Sequence, residues 1–307
     1  MGYDCLVCIK QVPDTKRITG EAMKDDGTVN RAALPAIFNP EDLNALELAL
    51  SIRDQFGGTV TVVTMGLPTA CEVIRESLFR GADRGVLITD IKAAASDTLA
   101  TSYILSCAAK KLGADIVLCG RQAIDGDTAQ VGPQMAEKMD FPLVTYVDEL
   151  HGIDDGLVKV TRNVGNGHEV VTCPVPCLMT VMDTANVPRP AAAKRVMKFK
   201  RARSQAEVVK MAESLLEGDF ENYTDELKAT EVEKYCAKLA DAGLLIQQFT
   251  LADLDADLQW CGRSGSPTKV HQIQSVVLSG GDYRQFPPTD EGIVELVHEL
   301  IEDHTIG

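Results

Sequence analysis

The feature that most constrains this chain is the alternation of short apolar runs with longer helix-forming segments through its first half. Residues 5–9, 59–65, 85–89 and 115–119 are of strand length, apolar and rich in β-branched side chains. Helix signals lie between them. Asn39 stands where an N-cap belongs, Pro40 suits the first helical position, and Glu41 and Asp42 put acids in the first turn. Leu43, Leu46 and Leu50 recur on one face, and Gly57-Gly58 ends that helix. Pro68 opens a helix that Gly81 closes. Ser96 or Asp97 caps another, running to about residue 112, and a further helix is expected from Thr128 to Met139. Strands alternating with helices predict βαβ units: an α/β fold with a mostly parallel, twisted sheet and helices on both faces. The strands lack polar alternation, as expected when both sheet faces are covered.

After Pro142 the rhythm changes. Residues 158–161 and 170–172 flank Gly165-Asn166-Gly167-His168, which predicts a β-hairpin with an Asn-Gly turn. Residues 177–182 read as another strand. Pro188-Arg189-Pro190 breaks regularity within a stretch, 189–203, that carries basic residues and no acid. A helix is expected over 224–242, a loop over 264–268 and a last helix over 291–303.

Composition excludes several functions. The net charge is −15 and aromatics are 5% of the 307 residues. Nucleic-acid binding needs excess Lys and Arg to displace counterions, or aromatic stacking platforms, so it is not expected. No apolar stretch is long enough for a membrane span. The start Met1-Gly2-Tyr3-Asp4 has no basic n-region, and the nine cysteines lie mostly in apolar runs. Both features point to a cytoplasmic protein with buried thiols.

In an open parallel sheet, ligands bind beyond the carboxyl ends of the strands, near the point where strand order reverses. Residues 8–15, Thr64-Met65-Gly66 and residues 120–132 fall at such ends. In the last, Gly126 removes a Cβ, so an anion could approach the backbone closely. Asp127 and Thr128 are expected at a helix start, where free N–H groups and the dipole favour phosphate. Asp125 and Asp127 oppose a bare phosphate unless they meet ribose hydroxyls or backbone donors. A capped βα turn without a ligand is the competing reading. The G-x-G-x-x-G fingerprint and the Walker loop are absent, so a nucleotide would be held differently. Cys173-Pro174-Val175-Pro176-Cys177 has no second pair at metal spacing, so no metal site is expected. The five histidines pair with no nucleophile, and no catalytic side chain is assigned.

Three stretches, in this order and spacing, resemble the β subunit of electron transfer flavoproteins. They are Val7-Cys8-Ile9-Lys10-Gln11-Val12-Pro13-Asp14, Asn39-Pro40-Glu41-Asp42-Leu43-Asn44-Ala45-Leu46-Glu47, and Gly120-Arg121-Gln122-Ala123-Ile124-Asp125-Gly126-Asp127-Thr128-Ala129-Gln130-Val131-Gly132-Pro133. Gly81-Ala82-Asp83-Arg84-Gly85 and Gly265-Ser266-Pro267-Thr268-Lys269-Val270 add to the likeness. The resemblance implies a heterodimer with a larger α subunit that carries an FAD, and an adenine-nucleotide-binding domain in this chain. Members that only shuttle electrons hold AMP here. Bifurcating members hold a second FAD, which takes hydride from NADH. They divide the electrons between ferredoxin or flavodoxin and, through the α flavin, a flavin-containing dehydrogenase of acyl-CoA or another type.

Shuttling members have a loop resembling Asp-Asp-Asp-Cys-Asn-Gln where this chain has Asp125-Gly126-Asp127-Thr128-Ala129-Gln130. The glycine and threonine leave room and a donor for a second phosphate. With Val12-Pro13-Asp14-Thr15 they point to the bifurcating type and FAD, AMP being the alternative. By position, the resemblance implies that Cys8, Asn39, Pro40, Glu41, Asp42, Met65 and each residue from Gly120 to Val131 contact the nucleotide. For Cys8 and Met65 that contact would be through backbone or packing. Ala193 stands where the family's docking loop carries an anchoring leucine, so a large apolar anchor is missing. The resemblance divides the chain into residues 1–203, a nucleotide-binding α/β domain with hairpin and docking-type loop, and 204–307, a helical insertion and extension packing on the α subunit. Two alternatives stand beside it. One is an ATP-using enzyme of similar architecture, for which Ser279-Gly280-Gly281-Asp282 is a partial motif. The other is a small nucleotide-sensing protein.

Overall fold

Each apolar run becomes a strand, and its successive side chains feed two separate core layers. The computed structural model describes residues 2–14, 35–216, 225–268 and 285–302. Strand β1 (Cys5–Cys8) is buried along its length. Its Cys5 and Val7 face one layer, and Leu6 and Cys8 the other. Strands β2 (Gln11–Pro13) and β3 (Ala36–Phe38) pair antiparallel as a small separate ribbon. Helix α1 (Pro40–Phe56) then packs Ala45, Leu46, Ala49 and Leu50 into the first layer. Each fully buried Leu contributes about 1.5–3 kcal/mol.

Strand β4 (Val60–Met65), helix α2 (Cys71–Arg80) and strand β5 (Arg84–Ile88) repeat the unit on the same side of β1. Helix α3 (Thr98–Leu112) is capped by Asp97, whose carboxylate accepts from the Ala100 N–H. It crosses back to strand β6 (Ile116–Gly120), which pairs with the other edge of β1. Helix α4 (Val131–Met139) and α3 supply the second core layer through Ile104, Ala108, Met135 and Ala136. The αβ alternation therefore covers both faces of one parallel sheet, as expected.

Strand β7 (Leu143–Asp154) is longer than any expected strand and was not foreseen. Its first part lies parallel to β10 (Cys177–Val181). Its outer part pairs antiparallel with β8 (Leu157–Asn163), which in turn pairs with β9 (His168–Pro174). The hairpin between β8 and β9 reverses at Gly165-Asn166, not at Asn166-Gly167. The Val164 N–H donates to the Gly167 carbonyl at 2.9 Å, and Gly165 takes φ +86°, a value glycine adopts without strain.

The basic stretch after Pro190 contains a short helix, α5 (Ala193–Phe199). Strand β11 (Arg203–Ser204), helices α6 (Gln205–Leu216) and α7 (Asp225–Asp241), and strand β12 (Leu245–Phe249) follow. β12 joins the sheet edge parallel to β5. Helix α8 (Gly262–Gly265) occupies the start of the expected loop, and α9 (Asp290–Glu302) is the last helix. Thr15, Lys269-Val270 and Ser279-Gly280-Gly281-Asp282 lie outside the described residues.

The sheet order is β11-β12-β5-β4-β1-β6-β10-β7-β8-β9. Strands are added from β1 toward β5 and then from β1 toward β6, so the order reverses between β1 and β6. A crevice at the carboxyl ends of those two strands follows from the topology. α4 begins at Val131, so Asp127 and Thr128 do not stand at a helix start. Asp127 at φ +46° and Ala129 at φ +53° are in the left-handed region, which a right-handed helix cannot include. Among the described residues no helix is long and apolar enough to cross a membrane. Nor does any group of three or more His, Cys, Asp or Glu side chains among them fit a metal ion.

Candidate functional site

Cys8 and Cys119 are directly opposite each other on β1 and β6, and they floor a cleft at the reversal point. Ile9 and Lys10 leave β1 on one side, and Gly120 ends β6 on the other. Asp42, residues 121–123 and residues 126–132 complete the lining. The cleft measures about 110 Å³. Sites that enclose a drug-sized ligand span about 300–1,000 Å³. This cleft can therefore enclose a phosphate-sized part of a nucleotide, and the rest must lie against further surface.

The first turn of α1 organises that cleft. Asn39 sits at the N-cap position but its side chain caps nothing in α1. Instead its amide N–H donates to the Gln122 carbonyl at 2.9 Å and its amide oxygen accepts from the Ile124 N–H at 3.1 Å. Glu41 accepts from Arg121 Nη2 at 2.7 Å, from Arg121 Nε at 3.2 Å and from the Gln122 N–H at 3.0 Å. Asp42 accepts from the Lys10 N–H at 2.8 Å and from the Gly120 N–H at 3.2 Å. One helical turn thus ties together the ends of β1 and β6 and the loop after β6. All three side chains are buried, so their polar atoms need these partners.

The far side of the cleft is a row of backbone donors. Within the described residues, the N–H groups of Thr128, Ala129, Gln130, Val131 and Gly132 donate to no protein acceptor. The left-handed residues Asp127 and Ala129 interrupt the regular backbone, and the start of α4 follows at once. Such a run of free N–H groups ahead of a helix favours an anion. A Cβ built on Gly126 meets nothing within 4 Å, so the fold itself does not require glycine there. The space beside Gly126 is open for a ligand.

Charge in the site is finely divided. Burial pushes the Asp42 carboxyl up to about 7, against the pull of Asn39 and the two N–H donors. The Glu41 hydrogen bonds hold the Arg121 guanidinium above its usual range. Lys10 Nζ lies 2.7 Å from Asp125 Oδ1, and Gln122 Nε2 donates to Asp127 at 3.0 Å. The hydrogen bond with Cys8 and burial push the Cys119 thiol well up, so it is no ready nucleophile. The arrangement can bind and orient an anion.

The structure brings most of the sequence-predicted residues together. Cys8, Asp42, Gly120, Arg121, Gln122, Ala123, Gly126, Asp127, Thr128, Ala129, Gln130 and Val131 line the cleft. Asn39, Glu41, Ile124 and Asp125 stand behind the lining and brace it. Pro40 is exposed at the start of α1. Met65 ends β4, beside β1, and packs with the second core layer rather than lining the cleft. The contacts implied by the resemblance leave out Ile9, Lys10, Cys119 and Gly132, which also line the cleft. For Lys10 the signal was a cation directly after a central strand. For Gly132 it was a glycine in the first turn of α4: a Cβ there would lie 2.7 Å from Thr180 Cγ2 on β10.

Comparison with known proteins shows the family of the chain. The family described as electron transfer flavoprotein domain matches residues 26–213. The electron transfer flavoprotein subunit beta of Clostridium acetobutylicum is 36% identical over 301 residues, covering 98% of this chain and 99% of that protein. The acryloyl-CoA reductase electron transfer subunit gamma of Anaerotignum propionicum is 38% identical over 303 residues, 98% of each chain. The caffeyl-CoA reductase-Etf complex subunit CarD of Acetobacterium woodii is 47% identical over 186 residues, 60% of this chain and 70% of that one.

Proposed function

The chain belongs to the electron transfer flavoprotein family as a β-type subunit, and we propose that it holds FAD, the second flavin of an electron-bifurcating heterodimer. The observation that carries this reading is the row of free N–H groups from Thr128 to Gly132 beside the open space at Gly126. That row is longer than one phosphate needs, and a diphosphate would use more of it. When bound, the flavin would supply acceptance of hydride from NADH and division of the electrons between ferredoxin or flavodoxin and, through the α-subunit FAD, a dehydrogenase.

The residues of this chain bind and orient. The 126–132 backbone would take the phosphates, and the α1 clamp of Asn39, Glu41 and Asp42 would keep that backbone in place. Cys8 and Cys119 would close the floor to water. No side-chain acid or base is assigned, because the redox step belongs to the cofactor. The cleft encloses only part of a nucleotide, so the remainder would be covered by an α subunit. Residues 204–307 are proposed to contribute to that contact. The relatives named for acryloyl-CoA and caffeyl-CoA reduction favour a flavin-containing dehydrogenase or reductase of acyl-CoA type as the electron partner. We place the complex in the cytoplasm.

Ligand analysis of the purified αβ heterodimer tests the proposal. FAD in both subunits, and no AMP, is the expected result. A single flavin accompanied by AMP would overturn the bifurcating reading and leave an AMP-holding shuttle subunit.

A further inference from the structure

We infer that Lys10 is the cation that reads the phosphate of the bound nucleotide, and that Asp125 holds its ammonium in reserve until a phosphate displaces it. The inference rests on the nucleotide-binding reading of the cleft but not on the choice between FAD and AMP.

Two cations line the cleft, Lys10 and Arg121. Arg121 is committed. Its guanidinium forks onto Glu41, whose side chain is only 7% exposed. Moving Arg121 to a ligand would strand a buried carboxylate, which is costly. Lys10 is differently placed. Its backbone N–H is fixed to Asp42 Oδ2 at 2.8 Å, so the root of the side chain is anchored at the cleft. The ammonium end is half-exposed, and its partner Asp125 is also within reach of water. An exposed ion pair of this kind contributes little, so parting it is cheap. The ammonium is a rotatable point charge on a flexible stem, suited to changing partners.

The surroundings require such a cation. The other charged groups lining the cleft are Asp42, Asp127 and Arg121, the last committed to Glu41. An anion seated on the 128–132 backbone would share the cleft with those two acidic side chains. Lys10 follows β1 and the 128–132 backbone follows β6, the neighbouring strand, and both line the cleft. An anion held there would find the backbone donors and the ammonium in one cleft. Asp125 lies outside the lining, so it competes for Lys10 without touching the ligand.

This arrangement predicts opposite signs for the two halves of one ion pair. The test uses the full chain with its α subunit, stripped of nucleotide and titrated with adenosine, AMP, ADP and FAD at low and high salt. Lys10→Gln should weaken the three phosphate-bearing ligands by about tenfold or more and leave adenosine unchanged. Lys10→Arg should recover most of that loss. Asp125→Asn should bind the same ligands as tightly as the parent or tighter. Equal weakening by Lys10→Gln and Asp125→Asn would show a merely structural pair and overturn the inference, as would an equal loss for adenosine. If Lys10→Gln does not assemble, Asp125→Asn decides alone: weaker binding refutes the exchange. A parent protein that prefers AMP to FAD would defeat the bifurcating reading while leaving the Lys10 contrast intact.

Discussion

A methyl group built on Gly120 would lie 2.4 Å from Asp42 Oδ1 and 2.8 Å from the Glu41 carbonyl carbon. The last residue of β6 and the first turn of α1 are therefore in direct backbone contact, and glycine is required for steric reasons. Gly120→Ala should push the start of α1 away from β6 and break the Asp42 bridge between the two strands. The expected cost is about 1–3 kcal/mol, the usual range for overpacking. A thermal unfolding curve that superimposes on that of the parent would refute the contact.

Gly126 is predicted to behave in the opposite way. Nothing of the protein lies within 4 Å of a Cβ there, and its φ is not positive. Gly126→Ala should leave the melting temperature of the nucleotide-free protein unchanged within the ordinary scatter of surface substitutions, about ±0.5 kcal/mol. It should nonetheless weaken nucleotide binding, because the added methyl occupies the ligand's space. Paired calorimetry of unfolding and of binding separates the two effects. A loss of stability without a loss of affinity would reverse the assignment.

Asp42 should leave a signature in the pH dependence of stability. Burial raises its carboxyl from 3.8 to about 7 in the folded chain. Between those values the folded state keeps the proton and the unfolded state has lost it. Stability from this group is fully present below about pH 4 and is lost as pH rises through about 7. At about 1.4 kcal/mol per unit, the whole swing is on the order of 4 kcal/mol as an upper bound. Asp42→Asn removes the titration. The stability difference between parent and variant, measured by urea unfolding, should move in favour of the variant as pH rises across that window. A constant difference would mean that Asp42 ionises normally.

The architecture was legible because β1, β4, β5 and β6 are buried on both faces and so announce themselves as apolar runs. β7 was not, because its outer half belongs to a half-exposed hairpin and carries Asp148, Glu149 and His151 among its apolar residues. The start of α4 was misjudged because Asp127 and Ala129 adopt left-handed φ without being glycine, which local propensity does not reveal. Asn39 shows a subtler limit. Its place before α1 was readable, but its side chain serves Gln122 and Ile124 rather than the helix. Lys10 and Asp125 are likewise 115 residues apart in sequence. Local pattern locates such residues, and only the sheet topology gives them their partners.

The Arg121–Glu41 pair should be asymmetric under substitution. Arg121 is 30% exposed and Glu41 only 7%. Removing the carboxylate with Glu41→Gln leaves a cation that water can reach, at a cost of about 1 kcal/mol. Removing the cation with Arg121→Gln leaves a nearly buried carboxylate with the Gln122 N–H as its remaining partner. That should approach the about 3–5 kcal/mol scale for stranding a buried charge. The double variant carries neither charge, so it should resemble Glu41→Gln rather than the sum of the two. Denaturant unfolding of the three variants measures the ordering, and amide exchange at Gln122 reports whether the loop has loosened. Equal costs for the single variants would mean that the pair is solvated throughout, and that the loop after β6 is held by the Asn39 bonds and the Glu41 bond to the Gln122 N–H.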